Sequence, residues 1–184
     1  VFSLDLNNLN QVEDLLEKIN KNFHSLDLLV NNASSFFKTD LENHKDSDWD
    51  DLINSNLRGP FILAKHCKKM LSESKGLIIN ISDAMVNRGM KNYVIYSMAK
   101  AGLENLTKTL ARELAPEVRV NAIAPGEIET SMVTPSSKKL LTEKIPMKRF
   151  GTPDEVAGVI LSMCSETFSY VNGTEIQING GQTV

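Results

Sequence analysis

The sequence predicts an α/β fold built on a doubly wound parallel sheet. Short apolar runs of strand length alternate with stretches of helical periodicity along the chain, the pattern of strands joined by right-handed helical crossovers. Several of the runs are apolar at nearly every position, as strands covered on both faces are. Polar or acidic residues stand just past the runs, at Asp5, Asn31–Asn32, Asp83 and "PGEIET" (125–130). Open parallel sheets bind ligands beyond the carboxyl ends of their strands, so these residues should cluster.

The elements follow in order. "VFSLDL" (1–6) reads as the first strand. Val12, Leu15, Leu16, Ile19 and Phe23 form one helical stripe, and Asn10 with Glu13 resembles a capping pair at its start. "LDLLVNN" (26–32) is the next strand. A long helix follows from about Asp48 to Ser72, with acids near its start and lysines near its end, matching its dipole. Trp49, Leu52, Ile53, Pro60 and Leu63 trace its buried face, and Asn56 falls on it. Pro60 has no N–H for the Asn56 carbonyl four residues back, so a kink with a free acceptor is expected. "GLIINIS" (76–82) is a strand, and a helix through Tyr96, Leu103, Leu106, Leu110 and Leu114 is stopped by Pro116. "VRVNAIA" (118–124) and "TEIQIN" (174–179) are the remaining strands. The polar segment 125–153 between them reads as a long substrate-covering loop. All of this forms a single domain over 1–184.

Composition narrows the function. The chain has 184 residues, 41% apolar and 23% charged, enough for one packed core. A net charge of -3 gives no support to nucleic-acid binding. No apolar run is long enough to cross a membrane. Lys65, Lys68 and Lys69 read as a solvated helix end. Cys67 and Cys164 read as reduced core thiols of a cytoplasmic protein, with no secretion signal. His24, His44 and His66 lack metal-ligand spacing, and no metal is expected.

Chemistry is concentrated in "INISDAMVNRGMKNYVIYSMAK" (79–100). Tyr96 and Lys100 are i and i+4, on one helix face. A free phenol titrates near pH 10, and a neighbouring ammonium would lower that toward neutrality, allowing the pair to shuttle a proton. The order "NNA" after a strand, Asn56, a strand-end polar residue, "YSMAK" and "VRVNAIAPG" resembles the short-chain dehydrogenase/reductase family across nearly the whole chain. The resemblance implies a Rossmann-like sheet, a nicotinamide cofactor and catalysis by Asn56, Tyr96 and Lys100, with Asp83 joining them by a narrower likeness within the family. It makes Tyr96 the proton donor, with Lys100 on the nicotinamide ribose and the Asn56 carbonyl holding a relay water. It also implies cofactor contacts from Asp5 and Leu6 at the adenine, from Asn32, Ala33 and Ser34, and from Pro125, Gly126 and Ile128 at the nicotinamide.

Two positions depart from the family pattern. The family usually places Ser at Asp83 and reads "NNAG" where this chain has "NNASSF". A hydroxyl can donate to a ketone oxygen and an ionised carboxylate cannot. Ser82, one position away in a strand, points to the other face. An acid beside the tyrosine and an aromatic plate at Phe36 suit a flat nitrogen heterocycle. "NNASSF", "DWDDLINSNLRGPF" and "SDAM…YSMAKAGLENLT" are similar to the pteridine reductases within the family. That resemblance implies NADPH-dependent reduction of a pterin, with dihydrofolate as a further substrate in some members. Ser34, Phe36, Asp83 and Tyr96 would then bind the substrate. A carbonyl reductase acting on a sugar, steroid or 3-oxoacyl ketone is the alternative, and a non-catalytic binding or assembly subunit a second.

No G-x-G-x-x-G turn occurs in the sequence. The family's first strand, helix and second strand would precede Val1, and the chain reads as a piece of something longer that would bind NADPH weakly. The family's usual assembly is a homotetramer, and Ala99, Ala101 and Gly102 would allow close helix packing.

Overall fold

The computed structural model describes residues 4–131, 133 and 135–184. Four strands form one parallel sheet in the order β1 (Leu28–Asn31), β2 (Leu77–Ile81), β3 (Arg119–Pro125) and β4 (Glu175–Ile178). Each overlaps the apolar run that predicted it. The first predicted strand differs. Val1–Ser3 lie outside the described residues, and Leu4–Leu6 leave the sheet. Asp5 forms a turn instead: its carboxylate accepts from the Asn7 N–H at 2.9 Å and its carbonyl from the Asn8 N–H at 3.0 Å. Such local acceptors compete with ladder bonds, and Leu4 and Leu6 pack onto the helices beside the sheet.

Helix α1 (Leu9–Asn22) carries its predicted stripe, with Val12 and Leu16 buried. Its cap is Asn8, whose side chain accepts from the Gln11 N–H, so the expected Asn10–Glu13 pair falls inside the helix. Asn8 wins because the Asp5 turn leaves it extended, as an N-cap must be.

The long helix expected over 48–72 is three joined pieces. They are α2 (Asp46–Ile53), a π-helical turn (Asn54–Arg58) and α3 (Gly59–Ser74). The Gly59 N–H reaches the Asn54 carbonyl five residues back, and Pro60, at the start of α3, has no N–H to restore the tighter ladder. The expected kink is therefore a widened turn. Leu52, Asn56 and Pro60 are buried as predicted, whereas Trp49, in the first turn of α2, remains 42% exposed.

Alternation along the strands sorts the core into two layers. Ile78 and Val120 face α1, α3 and α4 (Val94–Glu113), meeting Leu16, Cys67, Leu71 and Leu110. Leu77, Ile79 and Ile123 face α6 (Pro153–Met163), meeting Val156, Ile160 and Met163. Full burial of each such side chain stabilises by about 1.5–3 kcal/mol. Ala99 is fully buried within the chain, and a Cβ on Gly102 would lie 2.9 Å from Leu57. Ala99 and Gly102 thus serve close packing of α4 inside the molecule, whereas Ala101 is exposed.

The segment 125–153 is not an irregular loop. It contains α5 (Pro135–Thr142), and its ends are zipped by a parallel bridge between Ile128 and Gly151. Cys164 also departs from expectation: Cys67 is buried, but Cys164 is exposed at the end of α6.

A polar thread crosses the core. Asn31 Nδ2 donates to Asn80 Oδ1 at 2.7 Å, and Asn80 Nδ2 donates to Thr107 Oγ1 at 2.9 Å. Asn80 has no solvent exposure. Replacing it by Ala removes both bonds and leaves the buried Asn31 Nδ2 without its acceptor, while Thr107 keeps its bond to the Leu103 carbonyl. Asn80→Ala should destabilise by about 2 kcal/mol, read as a lowered urea midpoint at unchanged slope.

Candidate active site

The strand ends converge as the fold requires. The Ser82 N–H donates to the Ile123 carbonyl at 2.7 Å, and the Ala84 N–H to the Pro125 carbonyl at 3.0 Å. These bonds carry the β2 and β3 ends past the sheet together. Ser82 points away from the tyrosine, donating to Glu104 at 3.1 Å, as strand alternation predicts.

Asp83 meets Tyr96 directly: the phenol donates to Asp83 Oδ2 at 2.8 Å. The other carboxylate oxygen accepts from the Met85 N–H at 2.8 Å, which fixes its orientation. Lys100 approaches from one turn along α4, with Nζ 5.7 Å from the Tyr96 ring centroid, and donates to the Ile81 carbonyl at 2.7 Å. Tyr96 and Lys100 are 5% and 3% exposed.

Burial reverses the predicted electrostatics of this pair. Desolvation, then the Asp83 charge and hydrogen bond, push the Tyr96 phenol well above its ordinary value. The expected lowering by Lys100 does not occur, because burial first and the Asp83 carboxylate second hold the proton on the phenol. Lys100 is instead pulled down to about 8 by burial, against the opposing pull of Asp83. Tyr96 is therefore a firmly protonated donor beside a weakened ammonium.

The loop after β1 carries the other predicted residues. Asn32, Ala33 and Ser34 are exposed at its start. Ser34 Oγ donates to Asn56 Oδ1 at 2.6 Å, while Asn56 Nδ2 donates to the Ser35 and Leu52 carbonyls at 2.9 and 3.0 Å. Phe36 reaches the tyrosine, its ring edge-on to Tyr96 at 4.9 Å between centroids. One face of its ring is stacked on Tyr93 at 4.8 Å and 9°, so the expected plate presents its opposite face alone. Tyr93, Ser35, Ser55 and Asp51 lie in the quoted motifs but are not among the expected site residues. Spacing held a signal for two of them, since Asp51 and Ser55 are i and i+4, and Ser55 Oγ donates to the Asp51 carbonyl at 2.6 Å.

At the β3 end Gly126 is required by close approach, because a Cβ there would lie 2.8 Å from Asn179 Cβ and Gln182 Oε1. Ile128 pairs with Gly151. Glu127, between them, has its carboxyl held above the usual range by burial and by the Asp83 charge, against a hydrogen bond from Gln182. Asp5 and Leu6 stand apart at the turn before α1. Leu6 packs against Gly59, so its side chain serves the core.

The residues present fit the ribose and nicotinamide end of a dinucleotide. Lys100 is a buried ammonium with three N–H donors, and among the described residues its hydrogen-bond acceptor is the Ile81 carbonyl. Donors remain for a hydroxylated ligand beside Tyr96. Among the described residues no group of three or more His, Cys, Asp or Glu could hold a metal, and no helix is long and apolar enough to cross a membrane.

A parallel sheet with a buried Tyr–Lys pair at its carboxyl edge defines the class: an α/β oxidoreductase of Rossmann-like architecture. Comparison with known proteins agrees. The family model described as Enoyl-(Acyl carrier protein) reductase matches residues 1–183. The 3-oxoacyl-[acyl-carrier-protein] reductase of Aquifex aeolicus is 42% identical over 90% of this chain and 71% of its own. That of Thermotoga maritima is 37% identical over 100% and 76%. The aldohexose dehydrogenase of Thermoplasma acidophilum superposes with a TM-score of 0.93 at 28% identity, over 99% of this chain and 77% of that one. The chain belongs to the short-chain dehydrogenase/reductase family. The narrower likeness to pteridine reductases finds no counterpart among these relatives.

The Lys100 shift fixes a stability window. Its folded value near 8 lies below the free value of 10.5. The unfolded chain therefore binds more protons between these values, and stability rises with pH there. Wild type should gain about 1–2 kcal/mol relative to Lys100→Met between pH 8 and 9.5, measured by urea titration of both proteins across that range.

Proposed function

We propose that this chain is an NADPH-dependent carbonyl reductase whose substrate is a 3-oxoacyl thioester. The observation that carries a reductase is the Tyr96 hydroxyl, buried and aimed at the β2 end with Lys100 behind it. The substrate class is supported by the named activity of the relatives at 42% and 37% identity. Tyr96, Lys100, Asn32, Ala33, Ser34, Pro125, Gly126 and Ile128 would hold the cofactor, with Asp5 toward the adenine. NADPH, when bound, supplies the hydride.

The chain's own groups supply the proton. A ketone oxygen that gains electron density becomes a far stronger base than a carboxylate. It therefore takes the Tyr96 proton from the Asp83 hydrogen bond. The phenolate left behind stands beside the Asp83 charge, which makes it unstable and drives its reprotonation. Lys100, at about 8, is acid enough near neutrality to return that proton. The Asn56 carbonyl, without an N–H from Pro60, would hold the water that connects the pair to solvent. The protein would work as a homotetramer in the cytoplasm.

One observation favours a second substrate class, the C=N bond of a flat pterin. Asp83 accepts hydrogen bonds where a ketone reductase of this family usually offers a serine donor, and a protonated ring nitrogen could donate to it. NADPH oxidation by the full-length protein, followed with a 3-oxoacyl thioester and with dihydropterin, separates the two. The thioester should turn over faster; a faster dihydropterin would overturn the carbonyl reading and select the pterin. Tyr96→Phe should lower turnover of the preferred substrate by about 10³-fold, and Asp83→Ser should maintain or raise thioester turnover.

A further inference from the structure

The loop that brings Ser34 and Phe36 to the tyrosine is fastened by a residue outside the reacting groups. Ser35 Oγ donates to Asp51 Oδ1 at 2.9 Å. The same oxygen accepts from Asn7 Nδ2 at 3.2 Å. Asn7 belongs to the turn begun by Asp5, whose carboxylate holds the Asn7 N–H. One carboxylate oxygen on α2 therefore joins two chain segments, the loop after β1 and the turn before α1. The Ser35 N–H is held in parallel by Ser55 Oγ at 3.2 Å. Ser55 in turn rests on the Asp51 backbone carbonyl, a bond that survives any change of the Asp51 side chain.

We propose that Asp51 is a positioning residue that sets the loop 33–37 and the turn 5–8 in a common register through one shared oxygen. A carboxylate suits the role, since it accepts from both donors at once without an N–H of its own to satisfy. Tyr96, Asp83 and Lys100 are held by other bonds, to the Met85 N–H and the Ile81 carbonyl. Loss of Asp51 should therefore loosen substrate and cofactor binding more than it slows proton transfer. The inference concerns the placement of the loop and holds for either substrate class.

The test uses the full-length protein and two readouts. Amide hydrogen exchange is measured over 33–37 and 5–8, and kcat and KM are measured with the better substrate. Asp51→Ala should speed exchange in both segments by about tenfold and lower kcat/KM by about tenfold, mainly through KM, as loss of one charge-assisted hydrogen bond to each segment implies. Asp51→Asn keeps an acceptor oxygen and should stay within about twofold of wild type. Ser35→Ala, which leaves α2 intact, should speed exchange in 33–37 alone, and the double variant should be no worse there than Asp51→Ala. Unchanged exchange in Asp51→Ala would overturn the proposal. So would equal damage from Asp51→Asn and Asp51→Ala, or a loss confined to kcat. The exchange arm judges the loop whatever substrate is turned over, so failure of the reaction assignment is distinguishable from failure of this one.

Discussion

The hydrogen bond from Tyr96 to Asp83 ties the main helix of the site to the end of strand β2 in a buried setting. Everything around it follows from its burial. The phenol is protonated because a charged oxygen faces it in a poorly solvated setting. The lysine is weakened because the same setting penalises its charge. Strands β2 and β3 must leave the sheet together to bring Asp83 there, and the bonds from Ser82 and Ala84 across to β3 hold them in step. The polar thread of Asn31, Asn80 and Thr107 beneath it fixes α4 against the sheet one layer down.

Much of this was legible in the residues. Four strands overlap their apolar runs, because buried parallel strands advertise themselves by unbroken hydrophobicity. Tyr96, Lys100 and Asp83 were placed together by spacing and by strand-end position, and the structure joins them. The sign of the tyrosine shift was not legible. Sequence spacing shows that an ammonium is near, but not that a carboxylate lies nearer or that both groups are dry. The Asn8 cap was missed because two asparagines stand close together and only the backbone before them decides which is extended. The network of Ser34, Ser35, Asp51 and Asn56 was hidden for another reason. It joins residues about twenty apart, and short polar side chains carry no periodic signal.

Asp83 sets the site in tension with the likeness of the whole chain. Identity spread over the sheet and helices reports shared architecture, and function lives in a few side chains at its edge. The relative at 42% identity is named as a 3-oxoacyl-[acyl-carrier-protein] reductase. The carboxylate weighs toward a substrate that itself brings a hydrogen to the site. Phe36 and Tyr93 stack face to face, both edge-on to Tyr96.

The π turn at Asn54–Arg58 carries a consequence of its own. A widened turn rotates all that follows relative to what came before. The packed residue of α2, Leu52, belongs to the cluster around Tyr96 and Ile95, whereas Ala64, Cys67 and Leu71 of α3 belong to the layer against the sheet. One continuous rod thus serves two walls of the molecule by a change of phase at its middle, where Asn56 sits. The length of that stretch is as constrained as its chemistry. A one-residue deletion would straighten the rod and swing the asparagine off the loop it holds, even with every remaining side chain intact.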